Sequence, residues 1–242
     1  MFQKKFRYMA AVLAALVITQ GSIPAFADEI GPGYDEQNKA STDTSVTDPA
    51  NAWKKVNGVY VDNNGKTIEG ALLRGISVAK WQGDIDWAKV AADDISFAFI
   101  KMMSYGYEGG YTMDPNYEKN MKGALDNGVQ AAPYVYLQTK TVEEAKAAAK
   151  YAVEKVSGYN VKYPIAVDVE SKYILELSVQ ELTDVVNAFC DTIVAAGYTP
   201  IVYSDYSKFT TEMDTKQIHY DIGLARYGAD GTYEGRTIWQ CT

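Results

Sequence analysis

From residue 73 onward, short apolar runs rich in β-branched and aromatic residues alternate with longer stretches of helical periodicity. The strand-like runs fall at Leu73–Val78, 97–102, 132–136, 165–169, 200–203, 222–225 and around Ile238-Trp239. Most are separated by helical patterns with recognisable starts. Asp86 is placed to cap a helix beginning at Trp87, and Asp114-Pro115 to open one over 117–127. Thr141 with Glu144, and Ser178 with Glu181, match the capping-box spacing and predict helices over Val142–Val156 and 179–196. Strand-helix alternation of this kind predicts an α/β fold, a parallel sheet covered by helices. The pattern fits both a closed barrel and an open doubly wound sheet. The lack of a Gly-x-Gly-x-x-Gly or Walker-type loop after the first strand weighs against a nucleotide-binding open sheet.

The first 72 residues divide differently. Lys4, Lys5 and Arg7 precede an apolar run over 9–18, and Ala25-Phe26-Ala27 offers a small-x-small cleavage site, so 1–27 reads as a signal peptide. The run is shorter than the ~20 residues that a membrane span needs. The expectation is a secreted protein, extracellular or wall-associated, with no membrane anchor after cleavage. Residues 28–51 are polar and aperiodic and read as a flexible linker. Over 52–72, alternation around Asn63-Asn64-Gly65, with Val59, Val61 and Ile68 as inward positions, predicts a hairpin packed on the main domain of 73–242.

Charge narrows the partners. The formal net charge is −8, and loss of the signal peptide removes only positive charges. So acidic a chain disfavours nucleic acid and anionic lipid, whose phosphates it would repel. The single histidine, His219, has no carboxylate or nucleophile beside it in sequence, which weighs against histidine metal clusters and Ser-His-Asp or Cys-His mechanisms. Cys190 lies in a helical apolar pattern and reads as a core residue. An exported location permits a disulfide to Cys241, but two cysteines in a sequence do not assign one.

In a parallel barrel the chemistry lies where the strands end. The fourth run ends in Asp168-Val169-Glu170, and residues i and i+2 of a strand project to the same side, with Cβ atoms about 7 Å apart. Such a carboxylate pair is what glycoside hydrolysis uses, one protonated to donate to the leaving oxygen and one charged to support the oxocarbenium-like centre. Like charges at close range push the two pKa values apart. The alternative is an ordinary acidic strand end, or half of an ion pair with Lys101. The other strand ends are aromatic: Trp81, Tyr105, Tyr134, Tyr136, Tyr203, Tyr227 and Trp239. Singly, each reads as packing; as a set beside two carboxylates they suggest an elongated carbohydrate cleft.

The segment Gly75-Ile76-Ser77-Val78-Ala79-Lys80-Trp81-Gln82-Gly83-Asp84-Ile85-Asp86-Trp87 closely resembles the opening motif of glycoside hydrolase family 25, the lysozymes that cut the muramyl linkage of peptidoglycan. Matching segments follow in order at 97–101, Asp114-Pro115, Asn127-Gly128, Tyr134-Val135-Tyr136, 163–170, Phe189-Cys190-Asp191, Ala196-Gly197-Tyr198, Ile201-Val202-Tyr203, Ala225-Arg226-Tyr227 and Trp239-Gln240. The resemblance implies a TIM-like (β/α) barrel, irregular in its last strands, and a peptidoglycan hydrolase of the N-acetylmuramidase type. It implies Glu170 as general acid/base and Asp168 as nucleophile or as orienter of the substrate's 2-acetamido group. Substrate-binding positions implied with them are Ser77, Trp81, Lys101, Tyr134, Tyr136, Tyr203, Arg226 and Trp239. The implied partner is the peptidoglycan glycan strand, and no metal or organic cofactor is implied.

Two departures define the alternative. Ser77 stands where the family usually has an aspartate at the end of the first strand, and the sequence stops at Thr242, before the expected closing strand and its acidic residue. The expectation is thus a barrel truncated at its C-terminus. A binding domain that holds wall glycan with impaired catalysis is the competing reading.

Overall fold

The computed structural model describes residues 11–13, 53–62, 65–106, 110–226, 233 and 235–241. The proposed signal peptide's cleavage site, the linker over 28–51, Asn63-Asn64 and Tyr227 lie outside the described residues.

The domain is α/β, with a curled parallel sheet that forms a half-barrel. Its strands are β1 (Ala11–Leu13), β4 (Leu73–Val78), β5 (Phe97–Tyr105), β6 (Tyr111–Met113), β7 (Gln130–Leu137), β8 (Ile165–Asp168), β9 (Pro200–Asp205), β10 (Asp221–Ala225) and β11 (Arg236–Gln240). The sheet order is β4-β1-β11-β10-β9-β8-β7-β5-β6, and β4 also pairs directly with β5. All pairings are parallel except that of β6, which folds back on the end of β5. Strand β1 runs parallel between β4 and β11, with Val12 opposite Arg74 on one side and Trp239 on the other.

Helices α1 (Trp87–Ala92), α2 (Tyr117–Asp126), α3 (Val142–Val156), α4 (Val179–Ala195) and α5 (Tyr206–Thr211) provide the crossovers. Their starts follow the sequence signals. The Asp86 carboxylate accepts from the Lys89 N–H. Ser178 and Glu181 form a reciprocal box, with Ser178 N–H donating to the Glu181 carboxylate at 3.0 Å. At α3 only half of the expected box forms: Thr141 accepts from Glu144 N–H, while the Glu144 carboxylate accepts from the Thr139 hydroxyl at 2.8 Å.

Alternation along the strands splits the core in two. Phe97, Phe99, Ala132, Ala166, Ile201 and Ile238 point inward and fill the sheet's concave interior, with Tyr134 and Tyr163 against them. Their neighbours Ala98, Ile100, Ala131, Val135, Val167 and Val202 point outward beneath the helices. Gly75 is required by this inner layer: a Cβ there would lie 2.3 Å from the Phe97 ring.

One expectation is corrected and one is extended. The second strand runs on to Tyr105, and a register shift between Lys101 and Met103 inserts an extra residue and sends both Met102 and Met103 into the outer core. The reversal expected around Asn63-Asn64-Gly65 is spanned by an antiparallel bridge between Val61 and Thr67, and it follows a first hairpin of β2 (Trp53–Val56) and β3 (Val59–Asp62) that turns at Asn57-Gly58. Both turn residues have positive φ, 51° and 83°, the geometry of a two-residue hairpin turn whose twist matches its strands. The chain then folds back once more, with Ile68 N–H donating to Tyr60 O at 2.9 Å. Tyr60 is buried, and its hydroxyl donates to Asp94 at 3.0 Å, just before β5. The hairpin therefore sits at the N-terminal end of the sheet, opposite the end where the candidate residues gather. Cys190 and Cys241 are both buried, and no disulfide joins them.

Candidate active site

Asp168 is the last residue of β8, and Glu170 follows two residues later, beyond the outward-facing and fully buried Val169. That short segment is held on both sides. Val169 N–H donates to Tyr203 O at 2.9 Å, and the buried Ser204 hydroxyl donates to Val169 O at 2.6 Å. Ser171, also buried, then accepts at its carbonyl from Ile174 and Leu175 N–H and starts a helical turn. Glu170 is thus carried between two anchored residues and keeps the inward sense that the alternation gave it.

The two carboxyls occupy different surroundings. Asp168 is 8% exposed, and its Oδ1 is buried without a hydrogen-bond partner. Glu170 is half-buried. Burial pushes the Asp168 carboxyl well above the ordinary carboxylate range and the nearby Glu170 charge adds to this, while Lys101 and Lys208 pull it partly back. The ionisation of the pair is therefore split, with the buried member the harder to charge.

Tyr136 is the Cα partner of Asp168 on β7, and Tyr203 its partner on β9. Lys101 sits on β5 opposite Tyr134, and its ammonium lies 4.9 Å from the centre of the Tyr136 ring. Burial holds the Lys101 ammonium below its usual pKa, against the opposing pull of Asp168 and Asp114. Tyr203 hydroxyl donates to the Gln240 side chain at 2.7 Å, crossing over β10. Ser77 takes the inward position next to the end of β4. Ser77, Lys101, Tyr134, Tyr136, Asp168, Tyr203 and Glu170 thus gather on the inner side of neighbouring strands, towards their C-terminal ends.

Trp81 lies farther out. It follows β4 in a short helical turn, is 49% exposed, and carries the Lys80 ammonium 4.5 Å from its ring centre. Arg226 directly follows β10, with its N–H donating to Gln240 O at 3.0 Å. Its guanidinium lies 4.1 Å from the centre of the Tyr206 ring, at the start of α5. Trp239 differs from expectation. It is an outward residue of β11, 9% exposed in the core beneath the helices, and its indole N–H donates to Arg226 O at 3.0 Å. It positions Arg226 instead of facing a ligand, and its neighbour Gln240 takes the inward place.

Sequence reasoning missed three contributors. Asp114 was read as a helix start and as part of a matching segment, with no site role, yet it is a buried carboxylate at the mouth: Oδ2 accepts from Lys80 N–H at 2.8 Å and Oδ1 from Asn116 N–H at 2.9 Å. It ties the turn bearing Trp81 to the start of α2. Lys208, on α5, is ion-paired with Asp205 and lies within electrostatic reach of Asp168. Tyr206 carried no signal beyond its place after the fifth predicted strand.

Comparison with known proteins places the chain in a family. The sequence model for glycosyl hydrolases family 25 matches residues 76–242. An uncharacterized protein of Escherichia coli K12, YegX, is 29% identical over 161 residues, covering 64% of this chain and 56% of that one. The chain thus spans about half the length of the curated relatives it matches. Among solved structures, the modular autolysin LytC of Streptococcus pneumoniae superposes with a TM-score of 0.66 at 22% identity, covering 79% of this chain and 48% of that one. A family 25 glycosyl hydrolase of Bacillus anthracis gives 0.58 at 21% identity, covering 69% of this chain and 78% of its own. The bacterial lysozyme of Streptomyces coelicolor gives 0.57 at 20%, covering 69% and 82%. These likenesses share the fold, and the family match spans the strand ends that carry Asp168 and Glu170: the chain belongs to glycosyl hydrolases family 25.

Proposed function

We propose that the protein is a secreted peptidoglycan hydrolase that cleaves the glycan strand at the mouth of a TIM-like (β/α) barrel, irregular in its last strands. The observation that carries this reading is the pair Asp168 and Glu170 at the end of β8, one buried and hard to ionise, the other more exposed, among inward-facing tyrosines. Membership of family 25 and likeness to lysozyme and autolysin structures support the substrate class. One solved form of LytC carries a synthetic peptidoglycan ligand.

In this mechanism the pair enters the reaction with one proton between its members. Burial favours that proton on Asp168 in the free protein, and turnover requires its transfer to Glu170, which leaves Asp168 as the charged member. Glu170, the more exposed member, delivers a proton to the glycosidic oxygen as the C–O bond breaks. It then accepts one from the water that adds to the anomeric carbon. Asp168 supports the developing positive charge, directly or through the 2-acetamido group. Lys101 and Asp114 hold the electrostatic balance around it, and the tyrosines take the apolar faces of the sugar rings.

The test is release of reducing ends from purified peptidoglycan by residues 28–242, beside Glu170→Gln and Ser77→Asp. Release that Glu170→Gln abolishes supports the reading. No release from either the parent or Ser77→Asp, with saturable sedimentation on the same material, replaces it with a glycan-binding domain.

A further inference from the structure

On the hydrolase reading, turnover leaves Asp168 as the charged member of the pair, yet its surroundings are poor for a charge. It is buried, and its Oδ1 has no hydrogen-bond partner, so no donor at that oxygen offsets the loss of solvent. The groups that face Asp168 come from the neighbouring elements: Tyr136 on β7, Tyr203 on β9, Lys101 on β5 and Lys208 on α5, with Glu170 from its own segment. Among these, the two lysines carry the positive charge.

The lysines are held differently. Lys208 is ion-paired with Asp205, the residue that caps its helix, so much of its charge is answered there. Lys101 projects inward from β5 opposite Tyr134 and is half-buried. Its ammonium lies 4.9 Å from the ring centre of Tyr136, whose Cα partner on β8 is Asp168. The second acid that acts on Lys101 is Asp114. Both Asp114 oxygens are engaged by backbone donors, Oδ2 by Lys80 N–H and Oδ1 by Asn116 N–H, and its own N–H donates at 2.9 Å to the carbonyl of Met102, next to Lys101. Asp114 is thus locked to the strand that carries Lys101 and holds the ammonium by charge alone. The Tyr136 ring adds attraction for the cation without competing for Asp168 as another acid would. Little water screens an ammonium and a carboxyl placed in this way.

We infer that Lys101 is a positioning residue of the reaction: its ammonium, seated on the Tyr136 ring and backed by Asp114, is the counter-charge that lets the shared proton leave Asp168 for Glu170. This rests on the hydrolase reading above. Lys101 keeps its own proton throughout. The proton that moves is the one the two carboxyls share, and Asp168 is left as the carboxylate. Without the ammonium that proton stays on Asp168, Glu170 has none to give to the glycosidic oxygen, and the reactive form of the pair becomes rarer at every pH.

The test compares the parent with Lys101→Met, Lys101→Gln, Lys101→Arg and Lys208→Met by two readouts. Carbon-13 NMR of aspartate-labelled protein follows the Asp168 carboxyl, identified by its absence in Asp168→Asn, and needs no turnover. Reducing-end release from soluble peptidoglycan fragments, measured against pH, gives kcat and KM. In both Lys101→Met and Lys101→Gln the Asp168 titration should move up by about one pH unit, and the plateau of kcat should fall about tenfold with KM little changed. The alkaline limb of the rate should rise with the titration, because it reports loss of the proton that the pair shares. Lys101→Arg keeps the charge and should return both readouts towards the parent, while Lys208→Met should move the titration less than Lys101→Met does. A role in packing alone would lower the melting temperature and leave the titration in place. An unmoved titration in the folded Lys101→Met and Lys101→Gln proteins overturns the inference, as does a larger shift from Lys208→Met or a moved titration with kcat unchanged. A moved titration in a protein whose parent releases no reducing ends at any pH overturns the hydrolase reading, and with it the role in turnover, while the charge coupling of Lys101 to Asp168 stands.

Discussion

The Tyr203 hydroxyl donates to the Gln240 side chain at 2.7 Å and so links β9 to β11 across the mouth. Between them lies Gly223 of β10, where an added Cβ would stand 3.3 Å from the Tyr203 ring. A strand without a side chain at that point lets the tyrosine lie over it. Removing the hydroxyl leaves the Gln240 amide to solvent or to another donor. Tyr203→Phe should lower stability by about 0.5–1.5 kcal/mol, read as a shift in the urea midpoint with an unchanged slope.

The catalytic pair gives separable effects on rate. Glu170→Gln should reduce reducing-end release by about 10²–10⁴-fold, the usual worth of a positioned acid/base, while thermal stability stays close to that of the parent. Ser77→Asp places a carboxylate at the inward position of β4, one strand from Lys101, and should raise release. A Ser77→Asp protein no faster than the parent would show that the first-strand acid has no part in this site.

Asp168 should behave oppositely in stability and in activity. Its carboxyl is pushed up in the folded state, mainly by burial. The folded chain therefore holds a proton that the unfolded chain has released, and stability falls as pH rises from the ordinary aspartate value of 3.8 towards the raised folded value. Below that window both states are protonated and the penalty is absent. Asp168→Asn should thus be inactive yet more stable at pH 7, with its advantage shrinking towards zero in acid. Melting temperatures of parent and variant across that range check this, and an advantage independent of pH would rule out ionisation as its source.

Gly75→Ala tests the inner layer. The added methyl would meet a fully buried Phe97 ring that is stacked on Tyr163 with 5.4 Å between ring centres, so the ring has little room to yield. A cost of about 1–3 kcal/mol is expected, and Gly75→Ala with Phe97→Leu should recover part of it. Denaturation of the two proteins side by side measures the recovery.

Much of the fold was legible because local and tertiary preferences agree. Leu73–Val78 appears as read, and the Ser178–Glu181 box opens α4 as its spacing predicts. Disagreement arose where a tertiary contact decided. The register shift at Lys101 has no periodic signature, so the end of β5 and the inward turn of Ser104 were hidden. The Asn57-Gly58 turn did have a signature, but the apolar alternation around Asn63-Asn64-Gly65 competed with it, and the chain in fact folds back after both points. Strand parity alone separates Gln240 from Trp239, and a motif that spans both cannot say which faces inward. Asp168 and Glu170 were legible because a Val between two acids at a strand end sets their parity directly. Tyr206 and Lys208 belong to a short helix with no apolar repeat of its own, and only the folded chain brings them to the rim.

The packed interior also decides how a polymer can meet the protein. Among the described residues, Phe97, Phe99, Ile201 and Ile238 fill the concave side of the sheet below the level of Asp168, so the site has a floor. On the proposed reading, a glycan strand therefore reaches the carboxylates from the rim, because the inner core closes the way through the sheet's interior.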